Sequence, residues 1–458
     1  MTPTSSIASW VANVSLAAIP AEAIEHAKVA ILDTLGVVLA GAREPAARIA
    51  ASVVREEGAR PVASLLGDSA RVSMEGAAFV NGIAAHVLDY DDVSWEILGH
   101  PSAVVLPAAL AAGEASNVSG ERLLEAYVVG VEVMAKFARA MGPDQYERGW
   151  HTTATAGTIG AAMAASKILG LGETATQNAI GISVSEAAGT RQNFGSMAKA
   201  FQVGHAARSG VSAARLAARG MTGNGAILEG PLGYFALFAH RPDAAAEVAA
   251  MLSGPLELVS PGISLKKFPC CYGMHRALQG TLDLMRSHAL TADDVSSVSV
   301  VAPAGELVPL VDDLPRNGLE GKFSMRYGVA SAILDGEVRR GTFSDQMVRR
   351  GAAIELMKRI EVQPRYDRTT RGGGEGYVTV RLTTSAGLDH EARIVAPPGS
   401  PGAPMTRHEL VAKFADCASD LGRGGVDEVV RAVDALDLLP QISDLVASLV
   451  SQAEPAGE

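Results

Sequence analysis

Apolar residues recur at intervals of three and four along much of the chain, which is the spacing of amphipathic helices. One such run begins at Pro20, a residue that suits the first turn of a helix, and stops at Gly41. A second run follows Ser119, a residue type that caps helix N-termini, and stops near Gly142. The pattern therefore predicts long helices over 20–41 and 119–142.

Three further segments, 103–115, 154–170 and 203–220, are rich in alanine and glycine. Small side chains let neighbouring helices approach closely, so these segments favour a tightly packed helical bundle. We predict a helical domain over 1–262.

The pattern changes beyond this point. Segments 294–302 and 377–382 alternate apolar and polar residues in the period of two that is typical of strands, and helical runs over 324–335 and 344–360 lie between them. The proline- and glycine-rich segment 397–404 has the composition of a linker, and a helix is predicted over 406–419. The predicted fold is mostly α: a large all-helical domain over 1–262 and 403–458, and a smaller α+β domain over 263–402.

Length and charge narrow the classes of function. A chain of 458 residues exceeds the size at which a single core keeps growing, so two domains are expected. The formal charge of −11 disfavours nucleic acid and anionic membranes as partners. The uncharged stretch 151–166 is shorter than the roughly 20 residues that span a bilayer. The first residues lack the basic region of a secretory signal, so we predict a cytoplasmic protein.

The three cysteines, Cys270, Cys271 and Cys417, give no disulfide framework. They also lack the C-x-x-C spacing of iron–sulfur clusters. We therefore expect no iron–sulfur cluster and chemistry that is performed by side chains.

The densest polar cluster contains His86, Asp89, Asp91, Asp92 and His100. Three carboxylates and two imidazoles within fifteen residues are costly to bury without partners, so they need an explanation. One explanation is a divalent metal, but the spacing matches none of the familiar metal-binding patterns, and no metal is predicted. Another is a helix end with solvated acids and a capping aspartate.

Several isolated residues are further candidates. His151 opens an otherwise neutral segment at a predicted helix start, where it is either a buried capping residue or a catalyst. Lys199 is a solvated side chain or a ligand for an anion, and Tyr327 belongs either to a core or to a site. Lys266 and Lys267 precede an apolar turn, an arrangement that suits carboxylate binding.

Several motifs occur in a fixed order: AAFVNGIAAHVLDYDD, GHPSAVVLPAALA, GWHTTATAGTIGAA, NFGSMAKAFQVGHAARSGV, KKFPCCYGMH and GKFSMRYGVASAILDG. Together they resemble the MmgE/PrpD family, which includes 2-methylcitrate dehydratase, cis-aconitate decarboxylase and iminodisuccinate epimerase. The resemblance spans nearly the whole chain. It implies a helical domain assembled from both chain ends, a smaller α+β lid domain, a homodimer, and a cofactor-free active site in the cleft between the domains.

The resemblance also nominates site residues. Matching the motifs position by position, we predict a catalytic set of His151, His100, Asp89 and Tyr327. For binding a small di- or tricarboxylate substrate we predict Lys199, Lys266, Lys267 and His275.

Three local features bear on the reaction. Decarboxylase members of the family carry threonine just after the paired acids, where this chain has Val93 and Ser94, and they place a histidine at Cys271. The loop from Asp89 to His100 is also one residue longer here, and the local motifs are closest to iminodisuccinate epimerase.

All of the family's reactions make or quench a carbanion beside a carboxylate, which requires a histidine base and lysine cations. We predict a dehydratase-like lyase first, an epimerase second and a decarboxylase third. A non-catalytic binding protein comes last.

Overall fold

The computed structural model describes residues 1–311, 314–366 and 376–450. The final residues of the predicted helical domain, 451–458, lie outside the described part, as do 312–313 and 367–375 of the predicted α+β domain. Helices dominate the described residues, so the prediction of a mostly α protein is confirmed.

The α-helices lie in chain order: α1 (Pro3–Asn13), α2 (Ala21–Gly41), α3 (Pro45–Glu56), α4 (Met74–Val87), α5 (Pro101–Ser116), α6 (Gly120–Met141), α7 (Pro143–Glu147), α8 (Thr152–Ile168), α9 (Glu173–Val184), α10 (Met197–Ala218), α11 (Tyr234–Phe238), α12 (Ala244–Met251), α13 (His275–Ser287), α14 (Ala304–Leu307), α15 (Gly318–Gly321), α16 (Met325–Asp335), α17 (Asp345–Val348), α18 (Gly351–Met357), α19 (Arg407–Cys417), α20 (Gly422–Asp434) and α21 (Ser443–Ser448). The predicted long helices are α2 and α6, and the Ser119 hydroxyl accepts a hydrogen bond from the Arg122 amide as an N-cap.

Within the described residues, two sheets accompany the helices. Strands β1 (Ala63–Ser64) and β2 (Arg71–Val72) form a short antiparallel pair, whereas β3 (Val295–Pro303), β4 (Ile360–Arg365), β5 (Val378–Thr384) and β6 (Asp389–Ile394) form a sheet in the order β4-β3-β5-β6. In this second sheet the β3–β4 pair is parallel, and the β3–β5 and β5–β6 pairs are antiparallel. The strands predicted over 294–302 and 377–382 are β3 and β5.

Buried apolar side chains form two separate hydrophobic cores. The first core takes residues from Ile7 to Leu265 and again from Leu410 to Leu449, so both ends of the described chain contribute to it. The second core takes residues from Phe268 to Leu382 and includes one face of the four-stranded sheet. The chain thus passes twice between the cores. The domain boundaries at 262 and 403 stay predictions.

Helices α4 and α10 cross at two glycines. A Cβ atom added to Gly82 would lie 2.8 Å from Cα of Gly204, and one added to Gly204 would lie 2.3 Å from the carbonyl oxygen of Phe79. Real Cβ atoms do not approach backbone that closely, so the crossing depends on the two missing side chains. This contact matters for the site because α4 leads into the polar segment at 86–92 and α10 carries Lys199.

Replacement of Gly204 by alanine is expected to lower the free energy of unfolding by roughly 1–3 kcal/mol, because the added methyl group must push α4 and α10 apart. Thermal unfolding measures the loss. Gly424→Ala is the matched control, since Gly424 lies inside α20 with no atom within 4 Å of an added Cβ. A Gly204→Ala protein as stable as the control would contradict this account.

Two sequence predictions need correction. The helix predicted over 344–360 is broken into α17 and α18, because Arg350 takes an extended conformation directly before Gly351. The segment 397–404 is not a loose linker: residues 397–400 are buried, and the Gly399 carbonyl accepts a hydrogen bond of 2.9 Å from the Leu265 amide. The segment is packed beside the lysines that enter the candidate site.

Among the described residues, none of the helices combines the length and the apolar character that crossing a bilayer requires. The predicted homodimer and the predicted cytoplasmic location stay predictions.

Candidate active site

The polar segment that follows α4 turns sharply at Asp89. This residue has a φ of 53°, the left-handed conformation that aspartate tolerates better than most residues. The turn directs the segment toward a small cavity with free space of about 60 Å³. The cavity is lined by Asp89, Val93, Trp95, Leu98, His100, Tyr146, His151, Phe194, Lys199, Lys266, Cys271, Tyr272, Gly273, Pro309 and Phe323.

The Asp89 carboxylate is shared between two lysines. Lys199, in the first turn of α10, donates to Oδ1, and Lys266 donates to Oδ2 at 2.9 Å and to the Asp89 carbonyl oxygen at 3.0 Å. All three side chains are buried. Burial by itself raises the pKa of Asp89, but the two ammonium groups outweigh it and hold that pKa well below its usual range. The cavity therefore contains one carboxylate and two cations.

His100 and His151 occupy equivalent local positions, since each is the N-cap residue of a helix, α5 and α8 respectively. Nδ1 of His100 lies 2.8 Å from the carbonyl oxygen of Asp92, which only accepts, so Nδ1 carries the proton. Nδ1 of His151 lies 2.8 Å from Oε1 of Gln202, whose amide is oriented by the bond from Nε2 to the Thr190 carbonyl. In both rings Nε2 is left as the proton acceptor.

Both imidazoles are held in the neutral form. Burial lowers the pKa of His151 well below its ordinary value, and His86 and Lys199 lower it further. The pKa of His100 is also lowered well below its ordinary value, chiefly by burial, and Asp91 opposes the shift only in part. Two neutral imidazoles in one cavity are suited to general base catalysis.

We expect the acid limb of the kcat/KM profile to lie below the ordinary histidine pKa of about 6.5. A base must be unprotonated to act, and a lowered pKa keeps the imidazole unprotonated until the pH falls further. Rates of substrate consumption measure this limb when they are taken between pH 4.5 and 7.5 at constant ionic strength and at substrate concentrations below KM. A midpoint above 6.5 would contradict the neutral assignment.

A third imidazole and two more acids stand behind the cavity. His86 lies with its ring centroid 4.7 Å from that of His100 and 5.9 Å from that of His151. Its Nδ1 is 2.7 Å from Oδ2 of Asp91, which is also 3.3 Å from Nδ1 of His100. Asp92 accepts from the amide and hydroxyl of Ser102, and burial raises its pKa to about 7. The alternative of a solvated helix end is therefore wrong.

His86, Asp89 and His100 are of residue types that can bind a metal ion, so their surroundings decide whether they suit one. His86, Asp89 and His100 each offer a ligand atom, and these atoms lie within 4.8 Å of one another. Both oxygens of Asp89 already accept from ammonium groups, and two lysine charges beside the carboxylate repel a divalent cation. The arrangement favours chemistry by side chains alone.

Three of the predicted site residues lie elsewhere. The Tyr327 hydroxyl donates to the carbonyl oxygen of Thr342 at 2.5 Å, and the side chain is buried in the second core rather than directed to the cavity. The Lys267 side chain is partly exposed, and its ammonium lies 3.5 Å from the Glu409 carboxylate. His275 is buried behind the cavity wall, with ring centroids 5.2 Å from Phe268 and 4.8 Å from Tyr272. By contrast, Asp89, His100, His151, Lys199 and Lys266 all line the cavity.

Sequence reasoning missed the apolar wall of the cavity. Trp95, Tyr146, Phe194 and Phe323 come from four separate segments and surround the charged groups. An aromatic wall excludes water and strengthens the electrostatic interactions inside. Only 5% of the residues are aromatic. The sequence signal for this wall was that several of these few aromatic residues lie close in sequence to the motif histidines and lysines.

Comparisons with known proteins identify the family of this chain. The MmgE/PrpD N-terminal domain matches residues 5–247, and the MmgE/PrpD C-terminal domain matches residues 268–437. Human cis-aconitate decarboxylase is 27% identical, with 99% of this chain and 95% of the relative covered. The mouse cis-aconitate decarboxylase is 29% identical over 81% of this chain and 78% of the relative, and the Aspergillus terreus enzyme is 25% identical over 97% and 95%. This chain belongs to the MmgE/PrpD family, whose members include these decarboxylases.

Proposed function

We propose that the chain is a cofactor-independent lyase that moves a proton beside a carboxylate of a small di- or tricarboxylate. The proposal is carried by one observation: His100 and His151, each with an unprotonated Nε2, share a cavity with Lys199 and Lys266. Neutral imidazoles remove or deliver protons, and ammonium groups stabilise the negative charge that develops on a carboxylate.

The helices around the cavity support an anionic substrate. Helices α5, α8 and α10 all begin at the cavity, with His100 and His151 as N-caps of the first two and Lys199 in the first turn of the third. A helix N-terminus carries a partial positive charge, so three of them add to the field of the two lysines. The combined positive charge exceeds the negative charge of Asp89, so the cavity can also accommodate the carboxylates of a substrate.

The elimination step balances with these groups. One imidazole takes the proton from the carbon next to the carboxylate, and the electron pair is delocalised onto the carboxylate held by a lysine. The pair then forms the carbon–carbon double bond as hydroxide leaves. The imidazolium formed in the first step delivers its proton to the hydroxide, so the neutral imidazole is regenerated and water is released. The products are an alkene and water.

Loss of water is proposed ahead of loss of CO₂ because of Cys271. Decarboxylase members of the family place a histidine at this position of the cavity wall. Here burial raises the pKa of the thiol to about 11, so the thiol stays protonated and does not replace an imidazole as an acid or base near neutral pH. Decarboxylation is the second candidate, and the cis-aconitate decarboxylases among the relatives favour it.

Epimerisation is a third candidate. It requires removal of a proton on one face of a carbon and return on the other, and two imidazoles in one cavity provide the two groups. The motifs around Asp89, Lys199 and Lys266 favour it as well.

Proton NMR of the purified protein in D₂O tests the proposal with 2-methylcitrate, citrate, cis-aconitate and both enantiomers of iminodisuccinate. We expect an alkene to appear from a hydroxy acid. Release of CO₂ from cis-aconitate would indicate the decarboxylase, and deuterium uptake without elimination would indicate the epimerase. If no compound changes, the proposal of proton transfer on these acids is wrong.

A further inference from the structure

Three buried lysines bind three successive backbone carbonyls at the Asp89 turn. The contacts run from Nζ of Lys322 to the Leu88 oxygen at 2.5 Å, from Lys266 to the Asp89 oxygen at 3.0 Å, and from Lys413 to the Tyr90 oxygen at 2.9 Å. Carbonyls that follow a helix end lack partners within the helix, and here cations satisfy them one after another. We call this set the lysine clamp.

The members of the lysine clamp come from distant parts of the chain. Lys322 follows α15 beside the second core, and its ammonium also contacts the Pro269 carbonyl at 3.2 Å. Lys413 lies on the buried face of α19, where it also contacts the Lys266 carbonyl at 2.9 Å and Asp33 at 2.7 Å. The clamp therefore joins the turn to both cores, and Lys322 makes the connection to the second one.

The positive charges of the lysine clamp fix the position of the Asp89 turn. Asp89 is held in a left-handed conformation that is unfavourable for a residue other than glycine. Hydrogen bonds from a cation are about twice as strong as neutral ones, and burial removes the competition from water. Loss of one clamp member therefore allows the turn to relax and moves the Asp89 carboxylate away from Lys199.

We propose that Lys322 is a positioning residue that fastens the second core to the Asp89 turn and keeps the Asp89 carboxylate between Lys199 and Lys266. This inference rests on the proposed function, which gives Asp89 and its two lysines their part in the reaction. Lys322 does not line the cavity that holds His100 and His151. It lines a smaller neighbouring cavity of about 20 Å³, together with His86, Asp89 and Lys199.

Its surroundings make the contact sensitive to pH. Burial lowers the pKa of Lys322 to about 8, although the negative charges nearby oppose the shift. Lys322 is thus charged at neutral pH and loses its charge as the pH rises through about 8, which removes its attraction to Asp89. The titratable and charged groups around it are Asp89, Glu44, Cys270, Lys266, His86 and Lys199.

The experiment compares Lys322→Met with wild type and with Lys28→Met. Lys28 is a matched control because it is a buried lysine that donates to a backbone carbonyl, that of Asp434 at 2.9 Å, and it is not among the residues that line the cavity. We expect Lys322→Met to lower kcat by roughly 10- to 10²-fold, because displaced groups react slowly. Wild type and Lys28→Met should lose rate above about pH 8, whereas Lys322→Met should lack this alkaline limb.

Hydrogen–deuterium exchange of a peptide covering residues 86–92 gives a readout that needs no substrate. Lys322→Met should exchange faster there than wild type and Lys28→Met, and Lys322→Arg, which keeps its charge, should restore protection. An alkaline limb that persists in Lys322→Met, or unchanged exchange in that peptide, would overturn the inference. If wild type converts no acid in the panel, the proposed function fails, and the exchange data alone decide on Lys322.

Should Lys322→Met not fold, wild type and Lys322→Arg provide the decision. Protection of residues 86–92, corrected for the intrinsic exchange rate, should fall between pH 7 and pH 9 in wild type and stay constant in Lys322→Arg. Equal behaviour of the two proteins would overturn the inference.

Discussion

Replacement of His151 by alanine lowers kcat by roughly 10²-fold or more, because it removes a base that the reaction needs. The ring is buried, is neutral, and has its tautomer fixed by Gln202 at 2.8 Å, so no water-exposed group substitutes for it. Initial rates at saturating substrate measure the effect. The loss should appear in kcat more than in KM, since His151 acts in the transition state.

His26→Ala is the matched control for this variant. Nδ1 of His26 lies 2.8 Å from the Leu258 carbonyl, so this histidine also bonds to an acceptor, and it is not among the residues that line the cavity. The control should keep the wild-type kcat. Undiminished turnover in His151→Ala would remove His151 from the mechanism.

The second large effect is expected at Asp89, in both stability and activity. Asp89→Asn leaves Lys199 and Lys266 buried together without the carboxylate that neutralises them. Breaking a buried charge pair in this way costs roughly 3–5 kcal/mol of unfolding free energy, and misplaced lysines lower kcat/KM by about 10²-fold. Chemical denaturation and steady-state rates measure the two effects.

The stabilising contribution of Asp89 depends on pH, and the direction of this dependence follows from its lowered pKa. The pKa of Asp89 in the folded protein lies well below the unfolded value of about 3.9, so its stabilising contribution is complete above the unfolded value. The contribution is lost as the pH falls through the lowered pKa. The stability difference between wild type and Asp89→Asn should therefore shrink only in strongly acidic solution.

Glu132→Gln separates the two effects of Asp89. Glu132 forms a buried pair with Lys136 at 2.5 Å, and its other contacts are to backbone amides of residues 257 and 258. Its replacement should lower stability to a similar degree and leave kcat unchanged at a temperature where the protein is folded. Equal losses of kcat in both variants would contradict a specific role for Asp89.

Much of the fold is readable from the sequence because helices and strands depend on local periodicity. The helix starts at Ser119 and Thr406 follow from capping chemistry, and both are observed, the latter with a complete capping box. The break before Gly351 was missed because it depends on one residue's backbone conformation rather than on apolar spacing. Strands β4 and β6 were missed as well, since β6 is polar on its exposed positions and β4 contains a proline.

The site divides in the same way. Motif order nominates Asp89, His100, His151, Lys199 and Lys266, all of which the structure brings to one cavity. It also nominates Tyr327, five positions from Lys322 in the same motif, whose side chain the structure places in the second core. No local pattern indicates that Lys322 and Lys413 reach carbonyls 234 and 323 positions away in sequence. A lysine on the apolar face of α19, between Leu410 and Phe414, was the single available hint.

Lys413 follows all of the residues that line the cavity in sequence, and this order has a consequence for biosynthesis. A ribosome that has completed residues 1–402 has already made every group that lines the cavity. The nascent chain still lacks α19, and with it the ammonium that binds the carbonyls of Tyr90 and Lys266. For the proposed reaction, every reactive side chain of the cavity is thus translated before α19, and a product truncated before α19 would carry these side chains without the Lys413 contacts that hold the Asp89 turn.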